Sequence, residues 1–421
     1  MLSKGVRLAP ILALTACLPG AAQMIVNPNR VRRSFDAKPG EAALRCEVSA
    51  VHPTLNYGFR YQAGYRASAS MSLYRGTGHV WSMLTRITPR EGERRPVFLL
   101  SNIALPEIPE TKMDLQVGGA YLLGEGSYDV AFLLVDDADR VCRKQWRVDV
   151  HPNRNERAVK VAMPPATVWD LSLRGARRRA PDPDDVAPLR LTILLNAAPM
   201  SLRRTRLRPP DVGTLVSSVS SLLERVPTRG VRLVAFNLEQ QKELYRKDDF
   251  HLENLSEVSQ AMNGIELQLV DYKVLQNRRG HVDLLADLVN QEIAADPPSD
   301  VVLFMGPTSH YADRMPAASL EHPQGRAPQF LGFQLVPFGR IIQAPLDAPG
   351  PEGGPRGPYG RDLPAPNFPG LNQTGAGGLP DVIHSAIARL GGKTVVVHSP
   401  AEFAKAIDRL EKMGQSPAPP R

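Results

Sequence analysis

Few residues in this chain stand at spacings that reactive chemistry uses. Asp248, Asp249 and His251 lie close together in "KDDFH", and His310 follows a strongly apolar run in "PTSHY". A hydrolase needs a nucleophile at a sharp strand-to-helix turn, and the sequence has no G-x-S-x-G. Neither a phosphate-cradling P-loop nor a dinucleotide glycine pattern follows the apolar strand at Leu189. Ordinary loop polarity accounts for these acids and histidines. The residues favour a protein without catalytic groups, cofactor or metal. An exported hydrolase of unrecognised type on an α/β scaffold is the rival reading.

The cysteines depend on compartment. Lys4 and Arg7 precede a short apolar run, Leu8 to Leu18, and Gly20-Ala21-Ala22 supplies small residues at a cleavage site. Residues 1–22 read as a secretory signal, too short for a comfortable membrane span. Leu14-Thr15-Ala16-Cys17 also fits a lipobox, which would leave Cys17 as a lipid anchor. Cleavage after Ala22 keeps the longer apolar run and is favoured. The expected location is secreted or periplasmic, with a lipoprotein as the variant. Cys46 and Cys142 then remain, and an even pair in an oxidising compartment suggests one disulfide. Two buried thiols are the alternative.

A second charged feature is "SLRRTRLR", Ser201 to Arg208, directly after an apolar strand. Arg203, Arg204, Arg206 and Arg208 make either a solvated loop or a fixed positive patch for an anionic partner. The formal net charge of +8 is a mild basic excess. Outside the cytoplasm it points to solubility and anionic surfaces rather than to nucleic acid.

These residues must be held by a chain of 421 residues, long for one domain. From Leu44 to Val150, short runs rich in β-branched and aromatic residues alternate with turns such as "RGTGH" and "GEG". This predicts an all-β sandwich over residues 23–165. Tyr57, Phe59 and Tyr61 alternate in "YGFRYQAGY", which predicts a strand with these rings on its core face. A charged, Pro-containing linker follows at 166–188.

From Leu189 strands and helices alternate, predicting a doubly wound α/β domain over 189–413. "VVLFM", Val301–Met305, has the unbroken apolarity of a central parallel strand. Ser399-Pro400-Ala401-Glu402 opens the last helix with a Ser cap, a Pro and a capping-box Glu. Residues 344–378 are dense in Pro and Gly and read as a surface insertion. Residues 414–421 read as a disordered tail.

The α/β half resembles a von Willebrand factor type A domain of the divergent kind found in secreted bacterial proteins. The resemblance rests on the order of strands and helices, on "VRLVAFNLEQQKELY" as a strand leading into an edge hairpin, and on the closing "KTVVVHSPAEFAKAIDRLEKM". It implies a divalent-ion site of hard oxygen ligands at the carboxyl ends of the strands. At the matching positions stand Asn196, Ala198, Met200 and Gly306, which argue against the metal. The resemblance therefore implies an exported, non-enzymatic binding or assembly protein, its partner an unknown protein or anionic envelope or extracellular component.

Overall fold

The computed structural model describes residues 23–36, 41–105, 107, 113–171, 188–201, 204, 207–263, 265, 274, 276–321, 327–336 and 381–415. The signal, Cys17, Arg203, Arg206, most of the linker, the Pro/Gly-rich insertion and residues 416–421 lie outside these. The protein is a multi-sheet, mostly β chain with several helices. It falls into two compact units. One comprises Met1–Ala50, Gly64–Tyr121 and Tyr128–Val148, and the other Val51–Ala63, Leu122–Ser127 and Asp149–Arg421.

The N-terminal half holds two sheets. Strands β1 (Met24–Ile25), β5 (Val97–Ala104), β4 (Val80–Pro89), β7 (Gly126–Asp136) and β8 (Val141–Val150) lie in that order in one. Strands β2 (Cys46–Leu55), β3 (Tyr61–Ser70), β6 (Asp114–Leu123) and β9 (Val168–Trp169) lie in that order in the other. Alternation along β3 and β4 buries one face of each strand, as a period of two requires. Tyr65 of β3 stacks on Phe132 of β7 with centroids 4.5 Å apart and reaches Met83 of β4 through its hydroxyl. Tyr65 also fills the space above Gly119, where any Cβ would lie 2.5 Å from the ring. A disulfide joins Cys46 to Cys142, Cα atoms 6.1 Å apart, and so ties β2 to β8. The last strand, β9, pairs with β6 through Trp169 and Val168, inside the stretch expected as linker.

The aromatic row departs from expectation. Asn56–Arg60 is a turn, not a strand, with Phe59 at φ +54°. An Asn-Tyr-Gly-Phe tetrad suits a turn, and the Phe59 N–H donates to the Asn56 carbonyl. Tyr57 and Phe59 pack on Phe403 rather than on a sheet face, and the Tyr57 hydroxyl lies 3.0 Å from the Val336 carbonyl oxygen and 3.1 Å from that of Val397. Arg60 pairs with both carboxylate oxygens of Glu224.

The second unit is built on a six-stranded sheet ordered β12-β11-β10-β13-β14-β15. Its strands are β10 (Leu189–Asn196), β11 (Thr228–Asn237), β12 (Lys242–Lys247), β13 (Val301–Gly306), β14 (Gln329–Leu335) and β15 (Lys393–Val397). All neighbours run parallel except the edge strand β12, which is antiparallel to β11. The β13 residues are all buried, because helices cover both faces of a parallel sheet.

The helices, counting a short α1 at Pro28–Val31, are α2 (Pro209–Arg225), α3 (Leu255–Asn263), α4 (Gly280–Ile293), α5 (Val382–Arg389) and α6 (Pro400–Gln415). On one face Leu194, Val234, Val302 and Phe304 form a core with Leu285 and Val289 of α4 and Ile383 and Ile387 of α5. On the other, Phe333 of β14 meets Phe403 of α6. At the amino end of the sheet Glu292, fully buried, is held by Arg232, Arg246 and Thr192. No described helix is long and apolar enough to cross a membrane.

Candidate functional site

The chain leaves β10 toward β11 on one side and later fills β13 to β15 on the other. The strand order reverses between β10 and β13, and ligands of open parallel sheets bind outside the carboxyl ends of the strands at such a point. Two loops meet there, one after Asn196 and one after Gly306.

Side-chain amides hold these loops. Asn196, 2 % exposed, donates from Nδ2 to the Pro307 carbonyl at 3.0 Å. Asn237, at the end of β11, donates from Nδ2 to the Ala197 carbonyl at 2.7 Å. Ala198 is buried, Met200 is half-buried, and Gly306 lies against Asn196. A Cβ at Gly306 would come within 2.6 Å of the Asn196 carbonyl oxygen, and its φ of +148° also favours glycine. Asn196 and Gly306 are thus in contact, with Ala198 bonded back to Asn196 through its backbone N–H. Among the described residues no cluster of three or more His, Cys, Asp or Glu stands where it could hold a metal ion.

Two histidine–carboxylate pairs sit on the same edge. His310 Nδ1 lies 3.1 Å from Glu239 Oε1, and His281 Nε2 lies 2.9 Å from Asp313 Oδ2. The His281 ring stacks on Tyr311 at 3.8 Å. Burial pushes the Glu239 carboxyl up against the opposing pull of His310. Such pairs can hold and move protons, but Ser309, beside His310, turns its hydroxyl to accept from the Tyr311 N–H. Asp248 and His251 are not drawn into this edge. Asp248 pairs with Arg232, and His251 with Asp249.

Next to Asn196 a cleft opens between the sheet and α5. Leu194, Phe304, Gly332 and Thr394 lie in one cross-strand row, and Gly306 pairs with Gln334 in the next. Asn196, Gly306, Gly332, Asp381, Ile383 and Ile387 are among the residues that line the cleft. Asp381 caps α5. Its Oδ1 accepts from the His384 N–H at 2.8 Å and its Oδ2 from the Ser309 N–H at 2.6 Å. Burial raises the Asp381 pKa above the usual carboxylate range, although these N–H groups pull the other way. Asn196 Oδ1 on β10 and Thr394 Oγ1 on β15, three strands apart, are each buried without a partner. Asp381 escapes notice in the sequence because only the fold brings it to the loop after Gly306, where it meets Ser309. The "PDVIHS" helix start is the one local signal.

The arginine run is divided. Arg204 turns back to Asp211 at 3.5 Å, and the Arg208 N–H donates to the same carboxylate at 3.0 Å, fastening the loop to the start of α2. Arg203 and Arg206 lie outside the described residues.

No family model matches the chain, and no curated protein matches it. Solved structures give faint likenesses. A superoxide reductase (neelaredoxin) from Ignicoccus hospitalis is 12 % identical, covers 30 % of this chain and 92 % of its own, and has a TM-score of 0.19. A lipoprotein from Bacteroides thetaiotaomicron is 6 % identical over 30 % of this chain and 95 % of its own, with a TM-score of 0.14. A glycosyl hydrolase family 2 member from Bacteroides cellulosilyticus is 11 % identical over 69 % of this chain and 36 % of its own, at 0.18. Likenesses this low say nothing of activity or partner.

Proposed function

We propose that this is an exported, non-enzymatic binding protein. Its second unit is a divergent von Willebrand A-like domain that holds a partner protein at the carboxyl edge of its sheet without a metal ion. The observation that carries the reading is the pair of amide ties, Asn196 to Pro307 and Asn237 to Ala197. They hold together the loops that a bound cation would otherwise organise. Strand order β12-β11-β10-β13-β14-β15 with one antiparallel edge strand supports the family assignment. The Cys46–Cys142 disulfide supports export, because such bonds persist in oxidising compartments.

Site-specific photo-crosslinking in the producing cell tests this. A crosslinker at Thr308 or His310, on the carboxyl edge, should trap a discrete protein adduct. One at Arg229 or Asp296, on the amino edge, should not. Equal labelling from both edges, or none from the carboxyl edge, would defeat the reading.

A further inference from the structure

Strand β15 ends the six-stranded sheet and, among the described residues, pairs on one side only, with β14. The opposite edge strand, β12, carries Lys242, Glu243, Arg246 and Lys247, and charges along an edge keep it from pairing with another chain. By contrast β15 reads "KTVVV", with its one charge, the exposed Lys393, at the start. The Val397 carbonyl accepts from the Val336 N–H, so Val397 turns its backbone groups toward β14. Successive residues of a strand turn these groups to opposite edges, so Thr394 and Val396 aim theirs away from the sheet. Val395 pairs with Phe333, whose ring meets Phe403 of α6. Lys393, Val395 and Val397 therefore share the α6 side of the strand. Just past β15 the His398 N–H donates to Glu402 Oε2 at 2.7 Å, which sets a half-exposed carboxylate at the carboxyl end of this edge.

We propose that this edge pairs with the same edge of a second copy, antiparallel and centred on Val395, to form a homodimer with one continuous sheet. That register sets Thr394 against the second copy's Val396, so their outward N–H and C=O groups bond to one another. Val395 then faces its own counterpart without backbone bonds between them. Lys393 comes opposite the second copy's Val397, on the α6 side and beside its Glu402. Any extended strand could use the backbone groups, but the two-fold pairing also matches a lone cation to a carboxylate at each end. Because the paired strands run in opposite directions, the two carboxyl edges point to opposite sides of the dimer.

The test is the mass of the mature full-length chain by analytical ultracentrifugation over a dilution series. A dimer that dissociates on dilution is expected. Val396→Pro removes one outward N–H, a change that an edge strand tolerates, and should leave a folded monomer. Lys393→Glu should raise the dimer Kd about tenfold, and by less at high salt. Val395→Cys should form an intermolecular disulfide on oxidation, because Cα atoms paired without backbone bonds lie about 4.5 Å apart, within disulfide reach. Lys393→Cys, far from its own counterpart in this register, should not. A monomer at every concentration, a dimer that survives Val396→Pro, or equal cross-linking from both cysteines would overturn the proposal.

Discussion

Asn196 Nδ2 donates to the Pro307 carbonyl across the gap between β10 and β13, so the two central strands are fastened at their carboxyl ends by one amide. Replacing Asn196 with Asp removes the donor and sets a carboxylate against a carbonyl. The loss should be about 1–3 kcal/mol in denaturant unfolding, the cost of an unsatisfied buried group. The variant should also show no rise in Tm with millimolar magnesium or calcium, because Ala198, Met200 and Gly306 supply no side-chain oxygens. A saturable, chelator-reversible rise would show that a cation site survives.

Gly306→Ala tests the same junction sterically. The new methyl would lie 2.6 Å from the Asn196 carbonyl oxygen at a backbone angle that L residues rarely adopt. A loss of about 2–4 kcal/mol is expected, within the range for backbone strain combined with a core clash. Unchanged stability would mean that the two loops are not in contact.

Much of this framework was legible in the sequence. The nearly continuous apolar run at Leu189–Leu195 marked a strand, the unbroken one at Val301–Met305 marked a strand buried on both faces, and the Ser-Pro-Ala-Glu start marked α6. The turn at Tyr57–Phe59 was misread because alternating aromatics look alike in a strand and in a buried hairpin tip. Only the positive φ of Phe59 and its packing on Phe403 separate them. The cleft was invisible because Gly306, Gly332, Thr394 and Asp381 are distant in sequence and come to line it only in the fold. Fully buried Glu292 was equally hidden, since its partners Arg232 and Arg246 lie on neighbouring strands.

The Cys46–Cys142 bridge closes a sequence separation of 96 residues. Non-reduced peptide mapping of exported protein should find the linked peptides. The Cys46→Ser, Cys142→Ser variant should lose stability, up to the roughly 4.7 kcal/mol that chain entropy assigns to a loop of about 100 residues. Free thiols in the exported protein would remove the bridge from the account.

Asp136 makes the first unit acid-sensitive. Burial opposes its ionisation, but the backbone N–H and guanidinium of Arg140 and the Tyr74 hydroxyl outweigh this and hold its pKa below the usual value. A depressed folded pKa adds stability that is present above the unfolded value, about 4, and is lost as pH falls through the folded one. Asp381 has the opposite sign. Its raised pKa makes its contribution greatest below the unfolded value, and that contribution is lost as pH rises through the folded one. Asp136→Asn should flatten the acid limb of the stability curve, and Asp381→Asn should flatten the slope above it. Parallel curves for wild type and variants would refute both assignments.

The arginine loop yields a graded expectation. Arg204 already faces Asp211, so Arg204→Gln should cost little stability, below about 1 kcal/mol. Replacing Arg203, Arg204, Arg206 and Arg208 together with Gln should weaken partner binding and flatten its salt dependence if the loop meets an anionic surface. Unchanged affinity and salt dependence would make it a solvated loop.

The central claim is a partner held at the carboxyl edge without a metal. Its most direct test is the Kd of the crosslinked partner for the mature chain, measured in chelator and again in millimolar magnesium and calcium. The account predicts the same Kd in all three. Binding that disappears in chelator and returns with the cation would contradict it.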